Sequence, residues 1–253
     1  MTGPGQRATP PGPGRGVTPE DIRRWGPTWS RRVGWFLDHV WWSTSVLDAD
    51  RVPPTGRVLL APNHTGVVDG PVVHGAVPRE SHFLVKEEFF TSRLGFLMRW
   101  AGQIPVDRTN GRAALTTALA LLEEDRCVGV FPEGTRGRGD VTTARHGIAW
   151  LAVRSGAPVV PVAVLGTRRS GDSRGHVPGP RSRLYVAFGE PVQAAEPGAT
   201  TGRRAIAGAM DVIRGAMLAT IADATARTGV GLPADDPVAG EARGAEGSPG
   251  TRE

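Results

Sequence analysis

The sequence is poor in the residue types that most metal, redox and nucleotide sites require. It has one cysteine and, in Lys86, one lysine among 253 residues. A single cysteine excludes an intramolecular disulfide, and the apolar run CVGVF around Cys127 predicts a buried, inert thiol, which fits a reducing compartment. Lys86 is not preceded by the glycines of a P-loop, and no GxGxxG dinucleotide motif follows a predicted strand. The sequence also has no HExxH motif and no cluster of cysteines that would indicate a metal site. We therefore expect neither a bound metal nor a resident cofactor.

The chain also lacks the N-terminal order of charged, apolar and small residues that marks a secretory signal, so we expect a cytoplasmic protein. Residues 1–18 and 229–253 are rich in Gly, Pro and charge, and they are predicted to be disordered tails. Between them the sequence predicts a helical segment over residues 19–50 and one α/β domain over residues 51–228.

Positive charge is carried almost wholly by arginine. The net charge is +5, and the isoelectric point is about 10.7. Arginine binds phosphate and carboxylate through a planar fork of donors. The composition therefore favours anionic partners, which include phosphorylated metabolites, anionic lipid and nucleic acid.

Tryptophan is concentrated near the N-terminus, where residues 25–47 hold five of the seven. Drawn as a helix, this segment has an apolar stripe with Arg31 and Asp38 opposite; the stripe contains Trp29, Val33, Phe36, Leu37, Val40, Trp41 and Leu47. One interpretation is a helix in a membrane interface, and the other is a helix packed on its own core; spacing alone slightly favours the core. In the first, arginines would meet anionic head groups: Arg23, Arg24, Arg31 and Arg32.

Beyond residue 50, short apolar runs alternate with helical patterns. The candidate strands are residues 58–61, 82–85, 103–106, 128–131, 159–165 and 184–188, and the candidate helices are residues 67–77, 92–101, 111–124, 147–155 and 201–227. This alternation predicts an α/β fold with a mostly parallel central sheet flanked by helices, preceded by the N-terminal amphipathic helical segment. In such sheets the chemistry gathers at the carboxyl ends of the strands.

The first of these strands ends in NHTGVVDG, which places His64 five residues before Asp69. A carboxylate bound to one ring nitrogen of a histidine fixes the tautomer and leaves the other nitrogen as a base. The spacing suits such a pair if His64 precedes the helix that carries Asp69. The motif alone fits a capped turn with a surface histidine equally well.

Two further strand ends carry charge. GQIPVDRTNG places Arg108 at a helix N-terminus, where it either meets an anion or pairs with Asp107. VGVFPEGTRGRGD places Glu133, Thr135 and Arg136 in a loop, which suits a substrate with hydroxyls and a phosphate, although a charged surface turn has the same composition.

A serine hydrolase pattern is also present, because GDSRG around Ser173 fits GxSxG. That pattern has meaning only on a sharp turn from strand to helix. The Gly and Pro content around Ser173 predicts an irregular loop instead, so a nucleophilic Ser173 is disfavoured.

In order, NHTGVVD, GQIPVDR, FPEGTR and VVPVAV resemble the four sequence blocks of the glycerolipid acyltransferase family over roughly residues 55–190. The resemblance implies His64 as general base and Asp69 as its orienting partner. It also implies a set that holds glycerol phosphate: Arg108, Glu133, Gly134, Thr135 and Arg136. Supporting positions are Asn63, near a developing oxyanion, together with Lys86 and Arg145.

Two departures from the family pattern stand out. Gly66 replaces a serine that the family often has, and ARHG at residues 144–147 replaces an aromatic, lysine-rich stretch, with Arg145 able to keep the charge. The second difference bears on acceptor or acyl-chain preference.

The resemblance implies transfer of a fatty acyl group from acyl-CoA or acyl-carrier protein, as co-substrate, to the free hydroxyl of lysophosphatidic acid. The expected partners are that lipid, the acyl donor and an anionic membrane surface, with no nucleic acid, and the expected location is the inner face of the cell membrane. The resemblance therefore favours the interpretation of the tryptophan-rich helix as a helix in a membrane interface. Another lyso-lipid acceptor and a serine esterase using Ser173 are the alternatives.

Overall fold

The computed structural model describes residues 16–93, 95–107, 111–173, 175–195 and 202–236. The strands are β1 (Ser43–Leu47), β2 (Val58–Pro62), β3 (Ser81–Lys86), β4 (Ile104–Val106), β5 (Cys127–Gly129), β6 (Val159–Leu165) and β7 (Arg183–Phe188). The helices are α1 (Gly26–Phe36), α2 (Asp69–Ala76), α3 (Glu87–Thr91), α4 (Gly95–Trp100), α5 (Gly111–Glu123), α6 (Gly147–Ser155) and α7 (Arg203–Thr228). A π-helical turn, Leu37–Trp41, extends α1, and short 3-10 turns cover Pro19–Asp21 and Ala49–Arg51.

The strands form one sheet in the order β1-β7-β6-β2-β5-β3-β4. Every neighbouring pair is parallel except β6 and β7, which are antiparallel. The prediction of a mostly parallel α/β sheet is confirmed. Because β2 to β6 all run the same way, their carboxyl ends lie at one edge of the sheet, and the loops that follow them share that edge.

Helices cover both faces of the sheet. On one face, α5, α6 and α7 pack on the sheet through residues such as Leu121, Leu151 and Ile213. On the other face, Val72 and Val73 of α2 pack on the sheet. In the described chain α7 is the one helix that is long and apolar enough to cross a membrane, with a mean hydropathy of 1.5. Its residues Met210 and Ile213 are nevertheless buried in the core beneath it.

The tryptophan-rich segment differs from the sequence prediction in two ways. It is helical only to Trp41, because Ser43–Leu47 form strand β1 at the edge of the sheet. The run STSVL has β-branched and hydroxyl side chains that favour an extended backbone over a helix.

The orientation of α1 is the second difference. Its buried residues are Gly26, Pro27, Ser30 and Gly34, whereas large apolar residues are exposed: Trp25, Val33, Trp35, Phe36, Val40 and Trp41. The interpretation of α1 as a helix that buries its apolar stripe in the core is therefore wrong.

Contact between α1 and α2 depends on two glycines. A Cβ placed on Gly34 would lie 2.8 Å from Cα of Gly75, so the two backbones cross too closely for a side chain. Beside this crossing, Ser30 Oγ bonds Nε2 of His74 at 2.8 Å, and Nδ1 of that ring bonds Ser81 Oγ of β3 at 3.0 Å. The small and polar face of α1 is thereby fixed to the body of the domain.

Short parts of both predicted tails contact the domain in the described chain. Val17 accepts a hydrogen bond from Thr117 of α5, and residues 230–236 fold back over the loop that follows β6. There Asp235 pairs with the buried guanidinium of Arg168. The remaining predicted tail residues, 1–15 and 237–253, lie outside the described chain.

Candidate active site

Three adjacent strands bring three loops together at the sheet edge. β2 pairs in parallel with β5 on one side and β6 on the other. The loop after β2 carries His64, the loop after β5 carries Glu133, and the loop after β6 carries Thr167. Because these strands are neighbours, three segments that are distant in sequence meet around one histidine.

The structure brings His64 and Asp69 together. Nδ1 of His64 lies 2.9 Å from Oδ2 of Asp69, whose side chain is completely buried, while the imidazole is 18% exposed. The same Oδ2 accepts the backbone amides of Thr65 at 2.6 Å and Gly66 at 2.8 Å. Asp69 is the first residue of α2, so the five-residue spacing arises because His64 stands in the turn before the helix.

This geometry leaves the imidazole suited to accept a proton. An ionised carboxylate only accepts hydrogen bonds, so the proton of the neutral ring lies on Nδ1 and the lone pair on Nε2. Among the residues that the structure describes, Nε2 has no hydrogen-bond partner. The ring of Phe131 packs on the imidazole with centroids 4.4 Å apart. His64 is thus held on one edge and one face, with its basic nitrogen unoccupied.

Thr167 was not predicted from sequence, yet it binds the carboxylate directly. Its side chain is fully buried, and its Oγ1 donates a short hydrogen bond to Oδ1 of Asp69. The one available signal was its place directly after strand β6 and Gly166, at the edge where the other site loops lie.

Glu133 lies at the site but faces the backbone of the histidine loop. Its Oε1 accepts the amide of His64 at 3.0 Å, and the side chain is 4% exposed. Burial raises the pKa of Glu133 to about 7, with further upward effects from Asp140 and Asp69, against the lowering effect of the amides of His64 and Gly139. The carboxyl group therefore supports the position of His64.

The rest of the FPEGTR loop closes around the same residue. The amide of Gly137 donates to the carbonyl of His64 at 3.0 Å. Gly134 has a φ of 66°, and a Cβ there would lie 2.8 Å from Nε of Arg145, so the Arg145 side chain runs along this glycine. Thr135 is exposed and Arg136 half-buried in this loop.

The remaining predicted site residues differ in where the structure places them. Asn63 is buried, and its side-chain amide exchanges hydrogen bonds with the backbone of Val164, donating at 3.1 Å and accepting at 2.7 Å. It therefore ties the end of β2 to β6. Lys86 ends β3, half-buried, and Arg108 lies outside the described residues.

Ser173 has no hydrolase-like setting. It is exposed in the loop between β6 and β7, and the described residues from 175 to β7 form no helix, so they do not provide the strand-to-helix elbow that GxSxG requires. Within the described chain, no group of three or more His, Cys, Asp or Glu residues is arranged to hold a metal ion.

Residues 44–165 match the family model described as Acyltransferase. The chain is 31% identical over 154 residues to the 1-acyl-sn-glycerol-3-phosphate acyltransferase of Bacillus subtilis, which covers 60% of this chain and 74% of that protein. It is 29% identical over 150 residues to the enzyme of that name from Streptococcus pneumoniae, over 57% of this chain and about half (54%) of that relative's length.

Among solved structures, the 1-acyl-sn-glycerophosphate (LPA) acyltransferase PlsC of Thermotoga maritima is similar with a TM-score of 0.59 and 20% identity. The match covers 76% of this chain and 78% of that one. At this identity the likeness concerns the fold.

Proposed function

The chain belongs to the acyltransferase family, and we propose that it transfers a fatty acyl group from a thioester donor to the free hydroxyl of 1-acylglycerol-3-phosphate, giving phosphatidic acid. The observation that carries the proposal is the His64–Asp69 pair at the junction of three strand ends, with no bond from the described residues to Nε2 of His64. The names of the Bacillus and Streptococcus relatives support the choice of acceptor.

In the proposed reaction His64 acts as general base. Nε2 removes the proton of the acceptor hydroxyl while that oxygen attacks the thioester carbonyl carbon, forming a C–O bond. The tetrahedral intermediate then collapses, the C–S bond breaks, and the leaving thiolate takes the proton from Nε2. Asp69 holds Nδ1 throughout and stabilises the imidazolium. Because the thioester is already activated, no serine or cysteine nucleophile is required.

The phosphate of the acceptor is assigned to the arginines around the FPEGTR loop. Arg136 lies in that loop, and Arg145 runs along Gly134 beside it. A planar guanidinium fork suits a phosphate monoester. Arg108 remains a proposed member of this group on sequence grounds. Glu133 is assigned to holding His64, because its carboxylate accepts the His64 amide.

We further propose that α1 and the π-helical turn lie in the membrane interface, with the enzyme on the inner face of the cell membrane. Large apolar side chains point away from the domain, including Trp35 and Phe36, and tryptophan is favoured at that depth. Arg23 stacks over Trp25 and Trp100 at the rim of this surface. Two of the arginines expected to meet anionic head groups contact the protein itself. Arg24 pairs with Glu124, and Arg31 donates to the carbonyl of Val77.

An acceptor panel with purified protein tests the proposed activity. Lysophosphatidic acid and other lyso-lipids are each supplied with acyl-CoA or with acyl-carrier protein thioester, and products are measured by mass spectrometry. Phosphatidic acid as the main product supports the proposal. A product formed only from another lyso-lipid keeps the family chemistry and changes the acceptor.

The general-base role of His64 is tested with a variant that keeps the fold. His64→Ala should lose nearly all activity while its thermal unfolding stays close to that of the wild type, because the imidazole is partly exposed. Unchanged turnover would overturn the general-base role. Labelling by a fluorophosphonate that Ser173→Ala abolishes would favour the esterase alternative instead.

A further inference from the structure

We propose that Thr167 is a positioning residue of the His64–Asp69 pair, and that its hydroxyl fixes the carboxylate of Asp69 through the oxygen that His64 does not use. This inference rests on the acyl transfer proposed above, because its kinetic effect is expressed through His64. Thr167 acts on His64 through Asp69, and it is assigned no contact with either substrate.

The two carboxylate oxygens of Asp69 have separate partners. Oδ2 accepts Nδ1 of His64 and the amides of Thr65 and Gly66. Oδ1 accepts the hydroxyl of Thr167. Hydrogen bonds from a hydroxyl to a carboxylate are short and strong, and both side chains are fully buried. Without the Thr167 hydroxyl, Oδ1 would be a buried charged oxygen with no donor among the described residues.

The hydroxyl protons can be assigned from the same contacts. Oγ1 of Thr65 and Oγ1 of Thr167 are 3.0 Å apart, and either could donate on distance alone. Because Thr167 has one proton and a carboxylate can only accept, that proton goes to Asp69. Thr65 must then donate to Thr167. The resulting chain runs from Thr65 through Thr167 to Asp69, and each bond strengthens the next.

The neighbours of Thr167 on both sides are held in place. Gly166 has a φ of 85°, and a Cβ there would lie 2.8 Å from the carbonyl oxygen of Arg183, so the sharp turn after β6 requires glycine. On the other side, the buried Arg168 donates to the carbonyl of Asp172 at 3.1 Å and to the carbonyl of Asp235 at 2.7 Å. The residue between them has little freedom to turn its hydroxyl away.

Gly66 fits this arrangement. A Cβ on Gly66 would lie 3.2 Å from the carbonyl oxygen of Thr167 and 3.3 Å from its Oγ1, which is closer than most Cβ contacts. A side chain there would press on the hydroxyl that binds Asp69. Glycine at position 66 therefore leaves room for the Thr167 hydroxyl to bind Asp69.

Steady-state kinetics of Thr167→Val and Thr167→Ser test the role. Thr167→Val keeps the shape and removes the hydroxyl, so kcat should fall about ten- to hundredfold, the range that corresponds to a lost hydrogen bond to a charged group. KM for acceptor and donor should change much less. Thr167→Ser should recover most of the rate. Thr117→Val is the matched control, because it removes a buried hydroxyl that bonds the carbonyl of Val17, away from the site.

Proton NMR of the His64 ring gives a second measurement that does not depend on activity. The Nδ1–H resonance reports the bond to Asp69, and it should move in Thr167→Val while Thr117→Val leaves it in place. Wild-type kcat with an unmoved resonance in Thr167→Val would overturn the inference, as would a Thr167→Ser variant as impaired as Thr167→Val.

If the wild-type protein acylates no lyso-lipid, the proposed function fails, and the NMR comparison still decides whether Thr167 positions Asp69. If Thr167→Val does not fold, Thr65→Val takes its place, because it removes the donor to Thr167 and leaves the bond to Asp69. It should lower kcat in the same direction by a smaller factor, and an unchanged kcat and resonance there would overturn the inference.

Discussion

The backbone amide of His64 donates to Oε1 of Glu133 at 3.0 Å, a bond between loops whose residues are 69 positions apart in sequence. The carboxyl group also accepts the amide of Gly139. A glutamate in this position holds the chain segment that carries His64. This arrangement separates two roles for Glu133, support of His64 and contact with the glycerol of the acceptor, which kinetics can distinguish.

We expect Glu133→Gln to lower kcat by about tenfold or more and to leave KM for lysophosphatidic acid nearly unchanged. Glutamine is uncharged and offers one acceptor oxygen, so it should bind the amides of His64 and Gly139 more weakly than the carboxylate and hold the loop less firmly. The measurement is a full kinetic series in both substrates. A raised KM with an unchanged kcat would instead assign Glu133 to the glycerol.

Gly66→Ala should reduce kcat severalfold and destabilise the protein by about 1 kcal/mol, because the added Cβ is forced against the carbonyl and hydroxyl of Thr167. Gly70→Ala is the matched control. It lies in α2, and a Cβ there would meet nothing within 4 Å. Thermal unfolding and kcat are measured for both; equal behaviour of the two variants would contradict the steric account.

Membrane binding should depend on the exposed face of α1. Trp35 and Phe36, 51% and 54% exposed, are changed together to serine, and flotation with vesicles that contain phosphatidylglycerol should be strongly reduced. Val212→Ser with Leu218→Ser on α7 is the control pair, 45% and 44% exposed. If both double variants float like the wild type, α1 does not form the binding surface.

Asp38 makes stability depend on pH. Burial raises its pKa from 3.8 to about 7, against a lowering bond from Thr44. Between these pH values the folded protein retains a proton that the unfolded chain has released, so this group lowers the free energy of unfolding as pH rises.

Asp38→Asn removes that titration. The variant should therefore gain stability relative to the wild type between about pH 5 and about pH 8. Urea unfolding at both pH values measures the change, with Asp50→Asn in an exposed turn as control. A stability difference that is the same at both pH values would contradict the assignment.

The central strands were predictable because buried parallel strands appear as continuous apolar runs, as β6 does over Val159–Leu165. β1 was missed because STSVL is polar, short and next to a tryptophan-rich helix that dominates the periodicity. The outward orientation of α1 could not be predicted either. Helical periodicity identifies an apolar face, but it does not show whether the rest of the protein covers that face. That orientation is decided by the Gly34–Gly75 crossing.

At the site, His64 and Asp69 could be found because they share one short motif. The inward turn of Glu133 and the bond from Thr167 could not, because each joins residues about 70 to 100 positions apart through strand pairing. Local sequence carries no sign of such a partner. Asn63 illustrates the same limit, since its amide serves Val164 on a neighbouring strand.

The place of β2 between β5 and β6 has a consequence for synthesis of the chain. When His64 and Asp69 have left the ribosome, neither Glu133 nor Thr167 yet exists. The supports arrive in succession as β5 and then β6 insert beside β2, and such long-range pairings form slowly. A nascent chain that ends before residue 167 therefore carries His64 and Asp69 without the framework that aligns them, so we expect the proposed base to be aligned only when most of the sheet is complete.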